Sequence, residues 1–196
     1  MGFRDSFVKI ARVCGFITPL VSYGMIFLAI MNAPWFSWYR NALSDLGARP
    51  PSYLYFNSGL ILAGFLEALF SIGLFLNLRG IVGEASAVIL FADSIALMCI
   101  GIFPETAGRI HFYVSVAFFF LYPIASILFG VHLLSHGKDR LFGVLSVVMA
   151  FICLAIWFLV PWRSMGVTGV AIPEFLSSLV GCVWMIYIAY RYLMNN

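Results

Sequence analysis

Six apolar runs follow one another along the chain, separated by short polar intervals. A helix needs roughly 20 such residues to cross ~30 Å of hydrocarbon. The runs at 11–32, 53–77, 84–103, 110–134, 141–160 and 170–193 reach that length. Only helices or closed barrels satisfy their backbone groups inside a bilayer. The pattern therefore predicts an all-α integral membrane protein, a single bundle of six transmembrane helices. No repeat, low-complexity tract or linker marks a second domain. In the second run Asn57, Gly64, Glu67 and Ser71 share one helical face, which is expected to meet protein and not lipid. Asp93 stands near the middle of the third run. The longest polar interval is Asn41–Gly47, followed by Ala48-Arg49-Pro50-Pro51-Ser52, where Ser52 reads as the N-cap of the second helix.

Composition narrows the class. Of 196 residues, 63% are hydrophobic and 10% charged, where soluble domains carry about 25% charged residues. Mean hydropathy is +1.04. A net charge of +3 is too small and scattered to argue for nucleic acid, and none is expected as a partner. Cys14, Cys99, Cys153 and Cys182 all fall inside apolar runs and read as small buried hydrophobes. Charge also sets topology. Arg4, Lys9, Arg12, Arg79, Lys138, Arg140 and Arg191 fall at one end of the runs, against Arg40, Arg49, Arg109 and Arg163 at the other. The positive-inside rule then puts both termini in the cytoplasm and the protein in the cell membrane as a multi-pass chain.

Four ionisable residues meet at the end so assigned to the outside: Asp45, Glu105, His111 and Glu174. A carboxylate–imidazole cluster at headgroup depth offers ligands for a divalent metal, or an acid and a base for a lipid headgroup or water. In the catalytic reading His111 is base or metal ligand, Asp45 orients it, and Glu105 or Glu174 is the second acid. Asn41, Ser44, Asn57 and Arg109 complete the candidate pocket as binding groups. The plainer reading is that the same residues cap helices and tie loops together. Glu67 and Asp93 form a second set, an intramembrane acid pair. A charged carboxylate at the bilayer centre costs several kcal/mol, so each is expected to be paired, neutral or functional. His132 and His136 share a helical face at the opposite end and read as interfacial. There is no glycine-rich phosphate loop, HExxH or GxSxG. Neither the metal, nor a cofactor, nor whether the protein is an enzyme follows from these residues.

The order of these features resembles the six-span membrane family of unknown function DUF998. The matching pieces are Asn41-Ala-Leu-Ser44-Asp45-Leu-Gly47, Phe56-Asn57-Ser-Gly59, Gly101-Ile-Phe103-Pro104-Glu105 ahead of His111, and Gly169-Val-Ala-Ile-Pro-Glu174. In that family the last-helix glutamate is often followed by arginine. Here Phe175 follows Glu174, so an internal Glu–Arg pair is not carried over. More distantly, Ser44-Asp45-Leu46-Gly47, Pro50-Pro51 and His111 are similar to the eukaryotic six-span family of autophagy modulators and anchor-remodelling factors. That similarity implies lipid or glycolipid handling by analogy alone. The expected function is an outward-facing polar pocket for a membrane lipid headgroup or other amphiphile, which it binds or also processes. The alternatives are an accessory subunit of a larger membrane complex, such as a respiratory one, and a small proton-coupled transporter using Glu67 and Asp93.

Overall fold

A computed structural model describes residues 2–137 and 139–191. Lys138, counted above for topology, and the end of the sixth run at Leu193 lie outside the described residues. Among the described residues six helices are long and apolar enough to cross a membrane. They are α1 (Phe3–Met31), α2 (Ser52–Asn77), α3 (Ile81–Ile102), α4 (Arg109–Ser135), α5 (Arg140–Phe158) and α6 (Ala171–Arg191). Three short 3-10 turns, Ser44–Gly47, Glu105–Ala107 and Trp162–Met165, gather at one end of the bundle.

Two boundaries differ from the apolar runs for local reasons. The first helix begins at Phe3, well before Ala11, and Asp5 Oδ2 accepts the Gly2 N–H at its first turn (3.1 Å). A hydropathy pattern marks where a helix enters hydrocarbon, not where it starts. The third begins at Ile81 because Gly80, at φ 93°, turns the chain in a conformation that few other residues adopt. Ser52 is not an N-cap, which corrects the expectation above. It is the buried first residue of α2, and its hydroxyl donates back to the carbonyls of Leu46 (2.8 Å) and Arg49 (2.9 Å). That ties the Ser44–Gly47 turn to α2.

Each helix packs on its successor, and α6 returns to α1, so the six close into a ring. Without a hydrophobic drive between helices in lipid, close approach of backbones at small residues carries much of this packing. At Gly64 an added Cβ would stand 2.7 Å from the Ser94 carbonyl and 2.9 Å from the Met98 amide. Gly130 and Gly143 make the same kind of contact between α4 and α5. The stripe holding Gly64, Glu67 and Ser71 is buried inside the bundle.

Two packed clusters lie along the axis. Toward the loop-rich end are Ile26, Leu43, Leu46, Phe56, Leu60, Leu97 and Ile100. Toward the end that holds the chain termini are Phe70, Leu74, Leu90, Phe129, Trp184 and Ile188. Trp184 is fully buried, edge-on to Tyr122 and Phe129, and donates from Nε1 to Ser146 Oγ (3.0 Å).

Candidate functional site

Asn41 organises the loop-rich end. Its carbonyl accepts the Val170 (3.1 Å) and Ala171 (2.9 Å) N–H groups that open α6, and its side chain donates to Asp45 Oδ2 (2.7 Å). Gly169 lies so close to Asn41 and Arg40 backbone that no Cβ fits there. Asp45 also accepts the Ala42 N–H (3.0 Å), a turn closed by an acidic side chain on its own backbone. Glu174, in the first turn of α6, accepts the Leu43 N–H (2.6 Å). Phe175, in the position where a family arginine would stand, packs edge-on against Tyr23 and Trp38.

Asp45 and Glu105 form a hydrogen-bonded carboxyl pair with Arg49 nearby, and the Arg49 guanidinium lies 4.6 Å from the centre of the Trp35 ring. Glu105 is pushed up to about 7, first by its hydrogen bond to Asp45, then by burial and the Asp45 charge. Burial acts to raise Asp45 as well. Hydrogen bonds from Glu105, Asn41 and Ala42, with Arg49, outweigh it and hold Asp45 below its ordinary value. Glu105 is thus the proton carrier of the pair. Its stabilising contribution is fully present below its ordinary value of 4.5 and is lost as pH rises through about 7. Asp45 works in the opposite sense, losing its contribution as pH falls below its ordinary 3.8. Thermal unfolding in detergent should show the wild type losing stability relative to Glu105→Gln as pH rises from about 5 to about 7.5. A constant difference between the two proteins would contradict this pairing.

The remaining candidates lie apart from that pair. His111 is buried, with Nδ1 2.8 Å from the Phe103 carbonyl and Nε2 3.3 Å from Ser115 Oγ. The expected orientation of His111 by Asp45 is therefore corrected: the ring is engaged by the end of α3 and by its own helix. Asn57 donates to the Gly47 carbonyl (3.1 Å), while its Oδ1, buried and without a partner, fills the space a Gly47 side chain would need. Arg109 is exposed at the start of α4. Among the described residues no three His, Cys, Asp or Glu side chains are arranged to hold a metal ion.

Between the two packed clusters lies a cavity that is partly open. All six helices contribute to its wall. Ser44, Leu43 and Glu174 line it toward the loop-rich end, and Glu67 and Asp93 line it deep in the bundle. From Glu174 to Met185 its α6 wall runs eleven residues, roughly 16 Å of helix rise. Phe56, Leu60, Leu97, Phe118 and Phe119 make the walls apolar. Of the residues singled out from the sequence, Ser44, Glu174, Glu67 and Asp93 reach this space; Asn41, Asp45, Asn57, Glu105, Arg109 and His111 are not among its lining. Glu67 and Asp93 hydrogen-bond each other, a contact that is attractive only when at least one carboxyl carries its proton. Sequence reading missed Tyr122, which lines the cavity beside Asp93; its neighbour Pro123 was the only local peculiarity.

Comparison with protein families matches residues 16–191 to the one described as "Protein of unknown function (DUF998)". No curated protein and no solved structure matches the chain, so the more distant similarity to the eukaryotic six-span family gains no support.

Proposed function

Because the chain belongs to the DUF998 family, a membership that brings no reaction with it, we propose a function from its geometry: the bundle binds one amphiphile in its central cavity. The apolar part lies between the helices, and the polar head meets carboxyls that line the space. The observation that carries this reading is the lining itself. A concave space with apolar walls and a few convergent polar groups is the usual form of a small-molecule site. Its ionisable lining includes Glu67, Asp93 and Glu174 and neither lysine nor arginine. A phosphate head would meet carboxyls and no lysine or arginine to balance its charge, so the reading favours a neutral or cationic head.

Native mass spectrometry of the protein released from lipid nanodiscs tests this. The wild type should carry one bound amphiphile per chain. Gly181→Leu and Leu97→Trp, which fill the cavity from α6 and α3, should each lose it. Unchanged occupancy in both folded variants would contradict the proposal.

For topology, the reading is a cell-membrane protein with both termini cytoplasmic, supported by the seven-to-four division of basic residues between the two ends. Reporter fusions at either terminus should be active only as cytoplasmic reporters; a reporter active outside would reverse the assignment.

A further inference from the structure

Two buried polar atoms that line the cavity have no hydrogen-bond partner: Asp93 Oδ1 and Tyr122 Oη. Asp93 is 1% exposed and Tyr122 7%. Ser126, the hydroxyl beside Tyr122, gives its own proton to the Ser146 carbonyl (2.8 Å). Unpaired buried polar groups are costly, and two around one space mark where a polar group of something else belongs.

The chemistry of that group follows from what surrounds it. Thr18 and Ser22 each donate to a carbonyl of their own helix, so toward the cavity they present lone pairs, while Ser177 donates to the Pro173 carbonyl and accepts the Trp157 Nε1–H (3.1 Å). The Tyr23 and Ser178 hydroxyls bond each other and the Phe175 carbonyl, which occupies the protons of both. Apart from the Tyr122 hydroxyl, which can donate as well as accept, the wall is thus richer in acceptors than in free donors. Glu67 and Asp93 are the carboxyls of this deep wall, and no lysine or arginine lines the space beside them. A carboxylate in such a wall is held ionised only by a counter-charge, and an ammonium brought against Asp93 would supply one.

We propose that Asp93 and Tyr122, backed by Glu67, form the head-group site of the cavity, and that it takes the ammonium group of an aliphatic amine. This rests on the amphiphile-binding reading above and names its ligand class. The ammonium donates to Asp93 Oδ1 and to the Tyr122 oxygen, and a third proton is available to the acceptor-rich wall. The hydrocarbon tail then runs between Phe56, Leu60 and Leu97 toward Ser44 and Glu174.

The test uses the full chain in phosphatidylcholine nanodiscs with three probes sharing one tail: dodecylamine, dodecanol and dodecanoic acid. Binding is followed by native mass spectrometry over a concentration series. Dodecylamine should saturate at one per chain and bind on the order of 10- to 100-fold tighter than dodecanol, the factor expected of a hydrogen bond to a charged partner. Asp93→Asn and, separately, Glu67→Gln should shrink that preference to within a few-fold while dodecanol binding persists. The wild-type comparison stands even where a variant fails to fold. Equal binding of dodecylamine and dodecanol, or a preference for dodecanoic acid, would overturn the amine site while leaving the cavity reading intact. Failure of all three probes to saturate would overturn the cavity reading, and the amine site with it.

Discussion

Trp184→Ala should lower stability by about 3 kcal/mol, measured by equilibrium unfolding in mixed micelles. In soluble cores, removing a buried tryptophan costs about 3–5 kcal/mol from lost transfer energy and the void left behind. In lipid the transfer contribution shrinks, because acyl chains already solvate apolar groups, and packing remains. That places the expected loss at the lower end. Trp184 has no exposed surface, and its ring meets Tyr122 with centroids 5.3 Å apart and Phe129 at 5.7 Å. Truncation also takes the Nε1 donor from Ser146. Trp184→Phe should recover most of the ring packing and leave about 1 kcal/mol of loss, the size of one ordinary hydrogen bond. A loss under about 1 kcal/mol for the alanine variant would mean that Trp184 is not the packed support of Tyr122 described here.

Gly64→Leu should cost about 2–3 kcal/mol, near the upper range for overpacking. The clash falls on backbone of α3, at the Ser94 carbonyl and the Met98 amide, which cannot swing aside as a side-chain tip would. Relief requires α2 and α3 to separate beside the place where Glu67 meets Asp93. The same substitution should therefore weaken whatever the cavity binds. Gly64→Ala already places a Cβ 2.7 Å from the Ser94 carbonyl and should lie between the two. The same unfolding assay and the nanodisc binding series check both effects. Wild-type stability in the leucine variant would contradict the close helix approach.

Much of the architecture is legible in the chain because bilayer thickness fixes the length of each apolar run. The meeting of Glu67 and Asp93 can even be reasoned from position. Counted from the turn between them, Glu67 lies ten residues back from Asn77 and Asp93 twelve on from Ile81, roughly 15 and 18 Å along antiparallel helices. Their depths match. The Asn41–Gly47 interval is likewise recognisable as a distinct polar element. Its detailed partners are not. Asp45 pairs with Glu105 and not with His111 because the turn after Pro104 presents Glu105 to it, while the chain re-enters α4 through Gly108 at φ 66°. Each residue of a helix turns the side chain by about 100°, so the bearing of His111 depends on how that glycine sets the first turn. The cavity is less visible still. It exists because α6 closes back on α1 and because Tyr122, Gly181 and the hydroxyl-bearing residues leave space between two packed clusters. Hydropathy reports that these residues are buried or apolar, not whether their packing leaves a gap.

The central claim is that this space holds a ligand, and an experimental density map of the chain in a lipid nanodisc tests it most directly. One elongated density is expected, extending from Ser44 and Glu174 to Asp93 and Tyr122, with its polar end against the Asp93 carboxyl. A cavity filled by the protein's own side chains, or water alone throughout it, would mean that no ligand is held there.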